Sequence, residues 1–142
     1  MEADARFLIV GAHAMAVHGV PRATGDLDVW IDCERVNAGR VWRALLAFGV
    51  PFESLDISKE DLEKPDTVVQ IGLPPRRIDI LTAITGVEFE AAWKARVSHV
   101  VGNLKVPFIG RREFLINKRA TGRLQDLADV DALEREGDGG PS

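Results

Sequence analysis

The sequence predicts a single α+β domain, with one mixed sheet carrying its helices mainly on one face. Two observations carry that expectation. Short apolar runs alternate with stretches of helical spacing along most of the chain. Two pairs of strand-like runs, 67–73 with 76–81 and 97–101 with 104–108, are separated only by turn residues, Pro74-Pro75 and Gly102-Asn103, so the sheet contains hairpins. A chain of 142 residues fits one domain, expected over residues 1–136, with the Gly-Asp-Gly-Gly-Pro-Ser stretch of 137–142 as a disordered tail.

Each element has its own signal. Phe7-Leu8-Ile9-Val10 is an apolar run that stops at Gly11, and Ala12 to His18 is a compact, alanine-rich helical stretch. A tight polar loop from His18 to Gly25 leads into a strand over Asp26 to Ile31. From Asn37 to Phe48, Val41, Leu45 and Phe48 recur at helical spacing until Gly49-Val50-Pro51 stops the helix. Ser58 is placed to cap a short helix over Lys59-Glu60-Asp61. Residues 87–96 are amphipathic, with Phe89, Ala92 and Trp93 on one side, and 111–121 with 125–135 form a closing helical pair.

The chemistry concentrates in Gly25-Asp26-Leu27-Asp28-Val29. Alternation along a strand points Asp26 and Asp28 to one face and Leu27 and Val29 to the other. Adjacent carboxylates repel and stay ionised only beside a cation. Asp79, between apolar neighbours in Arg77-Ile78-Asp79-Ile80-Leu81, offers a third carboxylate from a second strand. Oxygen donors alone suit Mg²⁺ or Mn²⁺ better than zinc. The plainer alternative for an Asp-x-Asp strand is a polar face turned to solvent. The upstream strand, glycine and helix favour the metal reading, because backbone N–H groups at a helix start cradle phosphate and Gly11 lets it approach.

The run LIVGAHAMAVHGVPRATGDLDVWI, from Leu8 to Ile31, resembles the signature of the nucleotidyltransferase fold shared with DNA polymerase β, in its small bacterial AbiEii-like branch. Gly11 matches the family's glycine, Asp26 and Asp28 its metal pair, and Asp79 its third acid. Ala12 departs from the usual Gly or Ser, removing a hydroxyl but keeping the backbone N–H, and the spacer is long. A second block, LINKRATGRLQDLAD from Leu115 to Asp129, is similar to the branch's C-terminal motif, with Lys118, Asp126 and Asp129 at its lysine and two aspartates and Gln125 in place of a lysine. The resemblance spans Phe7 to about Leu133.

The residues of the second block point the same way. Between Arg111 and Arg123 stand five basic side chains and one acid, against a whole-chain net charge of −4, so the stretch inverts the local sign. Lys118 as a point charge and Arg123 as a fork would neutralise a triphosphate. The plainer reading is a solvated helix end whose cations favour the dipole, with Asp126 an early-helix acid and Asp129 paired to Arg123 or capping the turn. Arg22 and Thr24, with His18, lie in the loop before the metal strand and are substrate-contact candidates; loop stabilisation is the other reading of His18.

Other classes are disfavoured. No Gly-x-Gly-x-x-Gly follows the first strand, which argues against a dinucleotide enzyme. His13 and His18 are five apart and share no helix face as zinc ligands. The lone Cys33 forms no internal disulfide, no apolar stretch reaches membrane length, and the first residues lack a signal-peptide pattern, so cytoplasmic residence is expected. The acidic total gives no general reason to bind duplex nucleic acid.

The resemblance implies a metal-dependent transferase moving a nucleoside monophosphate from a nucleoside triphosphate to a hydroxyl. Protein, a tRNA 3′ end and small molecules are all acceptors in the family. It also implies work within a toxin–antitoxin module with a cognate partner. Longer AbiEii-like enzymes carry an extra domain, so a homodimer or a partner protein is expected to complete acceptor recognition here. Asp26, Asp28 and Asp79 would hold Mg²⁺ or Mn²⁺, Gly11 and Ala12 would cradle phosphates, and Lys118, Arg123 and Asp126 would balance or orient them. The alternatives are a catalytically inactive nucleotide- or partner-binding relative and, more distantly, a metal-dependent nuclease.

Overall fold

A computed structural model describes residues 4–21, 25–73 and 76–139. Among these, six strands and six helices follow in the order β1 (Phe7–Val10), α1 (Gly11–Val17), β2 (Leu27–Ile31), α2 (Arg35–Ala47), α3 (Phe52–Leu55), β3 (Val68–Leu73), β4 (Arg76–Leu81), α4 (Phe89–Lys94), β5 (Val97–Val101), β6 (Leu104–Phe108), α5 (Arg111–Thr121) and α6 (Leu124–Gly139). A 3-10 turn, Lys59–Glu63, sits between α3 and β3. The expected elements are present, with shifted ends. α2 starts two residues early because Glu34 caps it, accepting from the N–H groups of Val36 and Asn37 at 2.9 and 3.2 Å. Ser58 and Asp61 form a reciprocal capping box at the 3-10 turn. α6 runs on to Gly139, three residues into the stretch expected as a tail, whose last three residues lie outside the described ones.

The sheet order is β3-β4-β2-β1-β6-β5. The β3/β4, β1/β2 and β5/β6 pairs are antiparallel, while β2/β4 and β1/β6 are parallel. Strand alternation sends Leu8, Val10, Trp30 and Leu81 to one face, where they pack with Met15 of α1, Ala92 of α4, Phe114 and Leu115 of α5, and Val130 and Leu133 of α6. The other face presents Ile31, Val69, Ile71 and Ile80 to Ala38 and Val41 of α2, Phe52 of α3 and Leu62. Four of the six helices thus lie on the first face, which is also the face of Asp28 and Asp79. Trp30, 1% exposed, anchors this layer against the edge of Phe89, ring centroids 5.0 Å apart. Truncating a side chain so deep typically costs about 3–5 kcal/mol. Among the described residues no helix is long and apolar enough to cross a membrane.

Candidate active site

β2 and β4 run parallel side by side, and their register sets Asp28 opposite Asp79. Asp28 also faces Val10, the last residue of β1, so the chain turns into α1 directly beside its carboxylate. Gly11 sits in the left-handed region at φ 69°, and a Cβ placed there would come 2.1 Å from Asp28 Oδ2. That glycine is required twice over, for its backbone conformation and for the carboxylate packed on its α-carbon. Asp26 lies just before β2, and the ring N–H of His13 donates to its carbonyl oxygen at 3.1 Å, tying α1 to the acidic segment.

A cation already stands among the three carboxylates. Arg77, two residues before Asp79 and on the same face of β4, places Nη2 3.3 Å from Asp26 Oδ2 and 3.2 Å from Asp79 Oδ2. Its Nε is 2.8 Å from Asp79 Oδ1, yet the two are too misaligned for a hydrogen bond, and both atoms are buried without one. Burial, then the carboxylates of Asp79 and Asp26, push the Asp28 carboxyl above its ordinary range.

Among the described residues no three His, Cys, Asp or Glu side chains stand close enough, as placed, to hold a metal ion. The bridging guanidinium accounts for this at Asp26 and Asp79. The donor chemistry nevertheless fits a hard divalent cation. All donors are carboxylate oxygens, and Asp79 Oδ1 is a buried acceptor without a hydrogen bond. Arg77 is the residue that sequence reasoning missed.

From Asp28 a cleft of about 280 Å³ runs past Gly11 and Ile84 to Lys118, Arg123 and Asp126. The predicted basic wall is present but its charge is answered from within. Lys118 Nζ is 2.8 Å from Asp129 and 3.6 Å from Asp126, which are 1% and 2% exposed. Gln125 donates its amide to the other oxygen of Asp129 at 2.8 Å. Asp129 thus forms an ion pair with Lys118 on α5. Arg123 turns to Asp126, with Nε 2.7 Å from Oδ2 and its backbone N–H 3.3 Å from the same oxygen, while the Thr121 hydroxyl donates at 2.8 Å. The arginine, ahead of other hydrogen-bonding groups and against burial, holds the Asp126 carboxyl far below the usual carboxylate range. The block from Lys118 to Asp129 thus doubles as the α5–α6 corner. Gly122, at φ 65°, ends α5, and Asp126 caps the start of α6.

The remaining candidates fall elsewhere. Ala12 is half-buried in the first turn of α1. Arg22 and Thr24 lie outside the described residues. His18 is a structural residue: its ring N–H donates to the Ile109 carbonyl at 2.8 Å, and burial lowers its pKa. Arg111 reaches the Leu133 carbonyl at 3.1 Å and Arg112 is 84% exposed, so neither enters the cleft.

The chain thus folds as a six-stranded mixed sheet with helices on both faces. The crystal structure of a proposed nucleotidyltransferase from Thermotoga maritima, TM1012, is similar to this chain with a TM-score of 0.52 at 16% sequence identity, over 96% of this chain and 84% of that one. The likeness is one of fold. No family model matches the chain, and no curated protein matches it in sequence.

Proposed function

We propose that the chain is a metal-dependent nucleotidyltransferase of the AbiEii-like branch, working on a nucleoside triphosphate within a toxin–antitoxin module. The observation that carries this reading is the placement of Asp28, which lines a cleft ending at Lys118, packs on Gly11 and stands opposite Asp79, itself tied to Asp26 through the Arg77 guanidinium. Asp26, Asp28 and Asp79 would hold Mg²⁺ or Mn²⁺. When bound, the metal neutralises phosphate charge and polarises the α-phosphoryl group. Gly11 and Ala12 would offer their backbone N–H groups to the phosphates. Asp79 would take the acceptor's proton as the acceptor oxygen bonds to the α-phosphorus. The bond from that phosphorus to the bridging oxygen breaks, and pyrophosphate leaves.

The cleft suits a hydroxyl acceptor of small cross-section. A protein side chain, a tRNA 3′ end and a small molecule all qualify, and a homodimer or cognate partner would supply the remaining recognition. One observation favours a second reading, an inactive nucleotide- or partner-binding relative: Arg77 fills the space between Asp26 and Asp79. Label transfer from α-labelled nucleoside triphosphates with Mg²⁺ into a cell extract, with Asp28→Asn as the blank, separates the two. Label on protein, RNA or a small molecule with wild type alone supports the transferase. Folded protein that binds metal and nucleotide without transfer supports the binding relative.

A further inference from the structure

We propose that the chain carries a second anion site, at the opposite end of β1 from the carboxylates, which takes a small ligand bearing two or three linked phosphates. β1 starts at Phe7 and ends at Val10, so about 10 Å of strand separates the two ends. A pocket of about 460 Å³ opens at the Phe7 end. It is lined by Arg6, Arg40, Arg96 and Lys105 against the single acid Asp4, with Trp93 in its wall, in a chain whose net charge is −4.

The four cations are answered unequally. Arg6 is held by Glu90 at 2.8 Å and by Asp32 at 4.0 Å. Arg40 has Asp4 at 3.9 Å, and that carboxylate is 93% exposed. Among the described residues, no ion pair joins Arg96 or Lys105 to an acid. Arg96 is nonetheless fixed in place: its guanidinium lies 4.0 Å from the Trp93 ring centroid and donates to the Trp93 carbonyl at 2.7 Å. A stacked arginine keeps its remaining donors pre-organised, so little ordering is lost when an anion arrives.

Three under-neutralised cations, two of them planar forks, match the several oxygens of a di- or triphosphate better than a single carboxylate. The volume is that of a small-molecule pocket, and the acidic remainder of the surface opposes a long polyanion. The site stands whether or not the carboxylate cleft transfers nucleotides.

Calorimetric titration of inorganic tripolyphosphate into the full chain, at low salt with EDTA, tests this. EDTA removes metal-bridged binding in the carboxylate cleft. The expected result is one binding event, weakened at least tenfold in Arg40→Gln/Lys105→Gln and unchanged within about twofold in Lys118→Gln. Lys105→Glu, at an exposed position, serves should the double variant not fold. ATP competing for the same event supports a nucleotide source, and tripolyphosphate alone supports a free polyphosphate. No binding, or loss in Lys118→Gln instead, overturns the site. Tighter binding of an RNA dodecamer, lost in the same double variant, overturns the small-ligand assignment.

Discussion

Arg77 is the side chain whose removal says most about the acid trio. Its guanidinium touches Asp26 at 3.3 Å and Asp79 at 2.8 Å, and the three side chains are 27%, 36% and 13% exposed. A unit-charge pair at such a distance is worth about 4 kcal/mol at an effective dielectric near 20. Partial exposure screens this to about 1–2 kcal/mol per pair. Arg77→Met should therefore cost the metal-free protein about 2–3 kcal/mol. The same free energy no longer opposes a divalent cation, and since 1.4 kcal/mol is tenfold, Mn²⁺ should bind about tenfold tighter or more. Calorimetric Mn²⁺ titration and thermal melts with and without Mn²⁺ read both numbers. The variant should melt below wild type without metal and draw level in excess Mn²⁺. Equal or weaker Mn²⁺ affinity in Arg77→Met would refute the idea that the guanidinium holds a cation's place.

Three further outcomes follow from the same geometry. Burial and two neighbouring acids raise the pKa of Asp28, and an acid raised on folding favours the protonated fold, so metal-free stability should fall as pH climbs through that raised value. Asp28→Asn should flatten this slope and raise the metal-free Tm at neutral pH by about 2–4 °C, while Mn²⁺ binding is lost. Gly11→Ala meets Asp28 Oδ2 at 2.1 Å and a left-handed backbone, so it should lose about 1–2 kcal/mol from the backbone alone, with a fall in Mn²⁺ affinity seen by titration. Lys118→Met removes the ammonium 2.8 Å from the buried Asp129 carboxylate and should cost about 3 kcal/mol in urea melts at pH 7.

The sequence was most informative where local rules act alone. The period of two sets Asp28 on the opposite face from Val29, as in β2, and turn residues such as Gly102-Asn103 mark hairpins that the structure contains. The same period applied to Arg77-Ile78-Asp79 puts Arg77 beside the acids, so its signal was present and went unused. Other features depend on contacts between distant segments. The neutralisation of Lys118 by Asp129 requires the angle at which α5 meets α6, set at Gly122, and no spacing rule supplies it. The cationic pocket gathers Arg6, Arg40, Arg96 and Lys105 from four separate parts of the chain. The early start of α2 rests on Glu34, a residue outside the favoured caps.

The charges along the cleft decide how a nucleotide can enter it. At one end stands the Asp28 carboxylate, with Asp79 and Asp26 close enough to act on it electrostatically. At the other, Lys118 and Arg123 are matched one for one by Asp126 and Asp129. A triphosphate approaching without metal thus meets like charge at one end and neutrality at the other, where the sequence alone suggested a positive wall. Nucleotide binding in this cleft should depend on Mg²⁺ or Mn²⁺ outright. Loss of Asp28 should abolish it, where a purely basic cradle would gain from losing an acid. Fluorescent ATP analogue binding with and without Mn²⁺, in wild type and Asp28→Asn, distinguishes the two. Metal-free binding that strengthens in Asp28→Asn would mean that the phosphates are held by cations alone and that the acids are not metal ligands.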